Sequence, residues 1–274
     1  MTRDESKVAG ITSVGPASLT GRAVPGDEDL AVWRLDIVYE GTAFHGWAKQ
    51  PRLRTVQGVL EEALAKVLPQ PVRLSVAGRT DAGVHALAQV ASFTCAQHDL
   101  STVLLRRSLN ALLPPDVAVM LVSPAPQGFT ARAARSRTYR YRLVIAPVRP
   151  VADRAYVWSL PGGLDAEALR EAAVWLRGRR DFAALTPSAH LYRSCVREVA
   201  VAEWRSVGAD EWVFEIRADS FLHNMVRVAV GCMVDVAQGR LSPAEFEAGL
   251  SGGRRRHMGQ TAPARGLALV AVEY

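Results

Sequence analysis

Thr138-Tyr-Arg-Tyr-Arg-Leu-Val-Ile145 alternates strictly, with Tyr139, Tyr141, Leu143 and Ile145 on one side and Arg140 and Arg142 on the other. A period of two residues is that of a strand with one buried and one wet face. Downstream the pattern predicts a helix near 165–177, strands at 199–207 and 211–218 joined by Gly208-Ala-Asp, and a long apolar helix over 221–238. Ser242-Pro-Ala-Glu245 has the form of a capping box with Pro at the first helical position, and residues 267–273 make a closing strand. Upstream, Trp33, Leu35, Ile37 and Tyr39 alternate as a strand, Thr55 caps an apolar helix that ends at Pro69, and strands near 72–77 and 88–94 follow. A helix over 102–112 stops before Pro114-Pro115, and a strand lies near 117–123.

With one helix added in the second half, the order βαββαβ occurs twice. Each copy is the split-βαβ plan, a sheet with helices on one face. The expectation is an α+β fold: two ferredoxin-like subdomains, 30–126 and 127–274, joined into a central mixed, mainly antiparallel sheet. Helices would cover one face, and the other would form a basic RNA-binding cleft lined by Arg140 or Arg142 and by loop 78–85. Residues 1–29, rich in Gly, Ser, Thr, Pro and charge without periodicity, read as a disordered tail.

Lys plus Arg exceeds Asp plus Glu by 33 to 27, a net charge of +6 carried mainly by arginine, which suits a polyanionic partner such as nucleic acid. Cys95, Cys195 and Cys232 are widely spaced with no CxxC, so neither a disulfide framework nor a zinc site is suggested and a reducing, cytoplasmic setting is expected. His223, Asn224, Arg227 and Asp235 interrupt the apolar run at 221–238, which argues against a membrane segment.

Two positions carry the chemistry. In Ala77-Gly-Arg-Thr-Asp-Ala-Gly-Val-His-Ala86, Asp81 sits between two glycines beside an arginine and a histidine. An ordinary Asp-Gly turn would give the same letters. Arg227 stands among Met225, Val226, Val228, Ala229 and Val230 with no wet face evident. A buried guanidinium is costly unless an anion pairs with it, and Asp235, two turns away, is too distant. Asp81 is a candidate partner; the alternative is that Arg227 reaches solvent or caps a loop carbonyl. Tyr139 on its strand is more often a core residue, and His85 more often a structural histidine. No second histidine stands at ligand spacing, so no metal is assigned. Gly252-Gly-Arg-Arg-Arg256 is either a solvated loop or a phosphate clamp, with Arg254 and Arg255 as its candidates.

Beyond these residues, residues 32–274 resemble the tRNA pseudouridine synthase A family. The resemblance rests on Tyr39-Glu-Gly-Thr-Ala-Phe-His-Gly-Trp47, Thr55-Val-Gln-Gly-Val-Leu-Glu-Glu-Ala-Leu64, the Asp81 loop, Leu109-Asn-Ala-Leu-Leu113, Phe129-Thr-Ala-Arg132, Phe221-Leu-His-Asn-Met-Val-Arg227 and Thr261-Ala-Pro-Ala-Arg-Gly-Leu267. It implies an isomerase, a homodimer without cofactor, that turns uridine into pseudouridine at positions 38, 39 and 40 of tRNA, gripping the anticodon stem-loop and elbow. Asp81 matches the catalytic aspartate, acting at C1′ or at C2′ of the ribose. Arg227 matches its ion-pair partner, lowering the carboxyl pKa. Arg79 matches the arginine of base flipping, and Tyr139 the tyrosine against the base, with Tyr141 on the same face as the alternative. Gly78, Thr80, His85, Arg132, Arg140, His223, Arg254 and Arg255 are the further substrate-binding candidates. Ala48, Thr130 and Asn224 depart from the residues usual in the family. Two other readings stay open: a noncatalytic tRNA-binding module, and a base-releasing hydrolase, for which this loop offers one carboxylate where two are usual.

Overall fold

The structure, a computed structural model, describes residues 30–96, 99–252 and 254–274; the expected tail at 1–29 lies outside the described residues. Among these, ten strands form one sheet. The first half contributes β1 (Ala31–Tyr39), α1 (Val56–Val67), β2 (Ser75–Val76), β3 (His85–Cys95), α2 (Thr102–Leu112) and β4 (Val117–Ala125). The second contributes β5 (Ser136–Ile145), β6 (Trp158–Leu160), α3 (Ala166–Val174), β7 (Gly178–Asp181), β8 (Val196–Ser206), β9 (Glu211–Ala218), α4 (Met225–Ala237), α5 (Pro243–Leu250) and β10 (Leu267–Glu273).

Strand order runs β4-β1-β3-β10-β5-β9-β8-β7, with β2 on β3 and β6 on β5. Within each half the sequence is fourth, first, third, second: β4-β1-β3-β2 and then β10-β5-β9-β8. That repetition is the ferredoxin-like plan used twice, and the pairing is antiparallel except at β3–β10 and β5–β6. The seam between halves is the informative place. β2 pairs with β3 only at Ala91 and Ser92, and β10 takes up the same edge at His85 and Ala86. The Asp81 loop is the chain that crosses between β2 and β3 at this seam, so the two halves meet beside it.

Local chemistry accounts for the elements. The Thr55 hydroxyl accepts from Gly58 N, and Ser242 and Glu245 form the complete capping box. Trp33, Leu35 and Ile37 from β1, Leu60 and Leu64 from α1, and most of α4 join one continuous core. In α4 every residue but Arg227 is buried. The helix begins at Met225 rather than 221 because Asn224 adopts a left-handed backbone, φ 61°; asparagine tolerates that region better than most residues. Two short strands, β6 and β7, were not legible in the sequence: Gly178-Arg-Arg-Asp181 is exposed throughout and carries no apolar alternation.

Candidate active site

Backbone and side-chain bonds fasten the Asp81 loop at almost every residue. The Gln89 side-chain amide donates to Gly78 O at 2.8 Å, the Thr80 and Tyr39 hydroxyls share a 2.7 Å bond, and Trp47 N donates to Thr80 O at 3.0 Å. Val84 N closes a turn on Asp81 O at 3.1 Å, while Gly83, at φ 79°, donates to Phe44 O at 3.2 Å. Only glycine takes that φ without strain. At Gly41 a side chain would collide with the Val84 carbonyl, so the 41–47 segment packs directly beneath the loop. Burial pushes the Tyr39 hydroxyl up to about 12, which keeps it a neutral hydrogen-bonding group. Asp81 therefore projects from a frame rather than from a free turn.

Each Asp81 oxygen faces a nitrogen. Arg227 Nη1 lies 3.7 Å from Oδ2 and His223 Nε2 lies 3.7 Å from Oδ1, both just beyond hydrogen-bond length. Arg227 is held independently, donating from Nε to Ala262 O at 2.9 Å and from Nη1 to Asn224 Oδ1 at 2.9 Å. Asn224, one of the departures from the family pattern, thus supplies both the helix start and an acceptor for this arginine. His223 is anchored by a 3.0 Å bond between Nδ1 and Ser188 Oγ, and its backbone N donates to Tyr192 Oη at 3.0 Å. Burial raises the Asp81 carboxyl above the usual carboxylate range, and the charges of His223 and Arg227 pull against that rise. Arg227 thus acts in the expected direction, lowering the carboxyl pKa, but desolvation is the larger effect and leaves it raised.

Asp81 opens into a cleft of about 700 Å³. Of the sequence candidates, Gly78, Arg79, Thr80, Arg132, Tyr139, His223 and Arg227 line it with Asp81. Arg79 and Arg132 are exposed at its rim, and the Tyr139 ring stands edge-on to Phe221 with centroids 5.1 Å apart. The others are elsewhere. Tyr141 is fully buried and donates to Pro263 O at 2.8 Å, so it has no face for a substrate. His85 is buried, its Nδ1 accepting from Gly41 N and its Nε2 3.0 and 3.1 Å from the carbonyls of Ala155 and Arg265. Those bonds use both ring nitrogens, and burial lowers the imidazole pKa. Arg140 pairs with Glu215 at 3.1 Å and Arg142 with Glu211 at 2.7 Å, on the strand face away from Tyr139. The expectation that Arg140 or Arg142 lines one cleft with the Asp81 loop is therefore corrected: alternation along β5 parts them from Asp81, and both line a separate hollow, which of loop 78–85 includes His85 alone. Arg255 donates to Met258 O, Gly259 O and Thr261 Oγ1, bracing its own turn, and neither it nor exposed Arg254 lines the cleft.

Sequence reasoning missed Arg137. Its guanidinium is buried and donates to the carbonyls of Ala77, Ala134, Asp219 and Arg132, tying the loop's entry to the second half. The signal available was an arginine on the apolar side of the Tyr139–Tyr141 alternation. Gln89 was missed likewise, being a polar residue at a core position of β3.

A carboxylate in a rigid loop, flanked by a guanidinium and an imidazole, under a rim of arginines and beside an aromatic face, can attack or deprotonate a ribose while phosphates are held outside. A family model described as "tRNA pseudouridine synthase" matches residues 37–132 and 172–274. The chain is 45% identical over 248 residues to the tRNA pseudouridine synthase A of Syntrophotalea carbinolica, covering 89% of this chain and 97% of that protein. It is 42% identical to that of Geotalea daltonii, covering 88% of this chain and 98% of the relative, and 42% identical to that of Variovorax paradoxus, covering 85% and 87%. The chain belongs to the tRNA pseudouridine synthase family, isomerases that make pseudouridine in tRNA.

Proposed function

We propose that this protein isomerises uridine to pseudouridine at positions 38, 39 and 40 in the anticodon stem-loop of tRNA. The observation that carries the reading is the Asp81 carboxylate, 3.7 Å from both Arg227 and His223 in a cleft rimmed by Arg79 and Arg132. A duplex base cannot reach such a cleft, so the target nucleotide is flipped out, with Arg79 filling the gap and Tyr139 lying against the uracil. Asp81 acts on the ribose, at C1′ as nucleophile or at C2′ as base, and Arg227 keeps the half-buried carboxyl ionised and aimed. Gly78, Thr80, Arg132 and His223 are the substrate-binding residues. Because one C–N bond is exchanged for one C–C bond without redox change, no cofactor is needed.

The halves 30–126 and 127–274 act as two ferredoxin-like subdomains that close the cleft at their seam, in a cytoplasmic homodimer that spans the tRNA from anticodon stem-loop to elbow. Among the described residues no helix is long and apolar enough to cross a membrane. The test is incubation with unmodified tRNA and mapping of the changed uridines. Conversion at positions 38–40 by the wild type, and none by Asp81→Asn with tRNA binding retained, is the expected result. Unaltered conversion by Asp81→Asn would sink the mechanism, and no conversion by the wild type would leave a noncatalytic tRNA-binding module.

A further inference from the structure

The isomerisation moves a proton as well as a bond. When the N1–C1′ bond has broken and the C5–C1′ bond has formed, C5 still carries its hydrogen; that proton must leave C5, and N1 must end with one. A base within reach of C5 accepts it. Among the described residues lining the cleft, Arg79, Arg132, Arg137 and Arg227 offer only N–H donors, and the hydroxyls of Tyr139 and Tyr192 are feeble proton acceptors. Histidine is the side chain that both accepts and releases protons near neutrality, and His223 is exposed in the cleft wall.

We infer that His223 is a catalytic residue, whose Nε2 takes the C5 proton of the rotated uracil; this rests on the pseudouridine-forming reading above. Distances fit the step. Once C5 is bonded to C1′ it is one bond from an atom that Asp81 addresses, and Nε2 stands 3.7 Å from Asp81 Oδ1. Nδ1 is 3.0 Å from Ser188 Oγ; in the tautomer whose Nδ1–H donates to that hydroxyl, Nε2 carries the lone pair. Electrons balance: the C–H pair stays in the ring to restore the C5=C6 double bond, the imidazole becomes imidazolium, and it returns the proton to solvent as N1 acquires one. By either route Asp81 has regained its negative charge by then, and it stabilises the imidazolium as a carboxylate does in a catalytic triad.

The experiment compares wild type with His223→Gln on tRNA transcribed with 5-deuterouridine and with ordinary uridine. The wild type is expected to show a hydrogen isotope effect near 1 on product formation. With tRNA saturating, His223→Gln is expected to slow at least tenfold and to show an isotope effect of 2 or more, because proton removal becomes the slow step. A slow variant without an isotope effect would make His223 a positioning residue only, and an unslowed variant would assign the proton elsewhere; either overturns the inference. Wild-type product on ordinary tRNA separates these outcomes from failure of the functional reading itself.

Discussion

Arg227 and Ala262 exchange two hydrogen bonds, Arg227 Nε donating to Ala262 O at 2.9 Å and Ala262 N donating back to Arg227 O at 3.0 Å. The guanidinium that faces Asp81 is thus set by a strap running from Gln260 to Pro263, not by its own helix alone. Asp235, two turns further along α4, is what ties that strap down: its carboxylate accepts from Gln260 N and from the Gln260 side-chain amide, both at 2.8 Å, and pairs with Arg240.

Replacing Arg227 by Gln should act on the acid side of the pH profile. Asp81 has its pKa raised by burial, against the pull of His223 and Arg227. If the ionised carboxylate is the active form, activity is present above that raised value and is lost as pH falls through it. Removing a cation raises the carboxyl further, so the acid limb of kcat/KM moves to higher pH, and the rate at neutrality falls by about 10²–10³-fold, as for loss of one preorganised charge partner. A slower variant with an unmoved acid limb would show that Arg227 does not govern the Asp81 charge.

The same direction has a consequence for stability. A carboxyl whose folded pKa lies above its unfolded value binds its proton more tightly when folded, so stability from this group grows as pH falls toward the unfolded value, and its ionised form is a net cost at pH 7. Asp81→Asn removes that cost while Arg227 keeps Ala262 O and Asn224 Oδ1. The variant should unfold at the wild-type temperature or above it. A clear drop in its thermal midpoint at pH 7 would mean that Asp81 contributes to the fold.

How much of this could be read from the chain depends on which force sets each feature. Alternation exposed β1, β5 and β9, whereas the apolar helix with one arginine left an acidic partner and a loop carbonyl both open, and Arg227 meets both, Ala262 O at 2.9 Å and Asp81 at 3.7 Å. Arg140 and Arg142 were misassigned because alternation tells that two faces differ, not which one holds the loop. Tyr141 and His85 were over-read for another reason: a motif marks residues that a site needs, including those that hold it up from beneath. His85 does that through Gly41, and Tyr141 through Pro263. Local pattern shows Gln89 and Arg137 only as polar residues on apolar faces; the partners that give them their roles, 11 and 60 residues away, it does not show.

Gly231 tests the strap. A β-carbon there would overlap the Gln260 carbonyl and crowd Ala262 N, which is backbone and cannot swing aside. Gly231→Ala should cost about 1–3 kcal/mol, the usual range for overpacking, and lower kcat more than it raises KM, since Arg227 would move with Ala262. Melting curves and steady-state kinetics check both; wild-type kcat in a destabilised variant would uncouple the strap from the site.

Binding should weaken with salt, since RNA phosphates shed counterions to the arginine rim. Arg79 is exposed and lines the cleft. If it fills the space of the flipped base, Arg79→Ala should lower kcat by about tenfold or more. If it instead holds a phosphate, the slope of log affinity against log salt should fall by about 0.7 to 0.9 with kcat kept. Titrations at several salt concentrations, run beside kinetics, separate the two, and a variant unchanged in both would remove Arg79 from the site.

Tyr139 and Tyr141 share a strand face yet should behave oppositely. Tyr139 lines the cleft against Phe221, whereas Tyr141 is sealed in the core with its hydroxyl on Pro263 O. Tyr141→Phe deletes one buried hydrogen bond and leaves a carbonyl unpaired, about 1–3 kcal/mol of stability, and should leave kcat near wild type. Tyr139→Phe retains the ring that meets the uracil and should keep most activity, because stacking needs only the π face. Tyr139→Leu fills similar core volume without that face, so it should remain folded while kcat drops by at least about tenfold, in line with about 1–3 kcal/mol for one base–aromatic stack. Were Tyr139→Leu as active as Tyr139→Phe, the ring would be core packing alone and the base would be held by other groups.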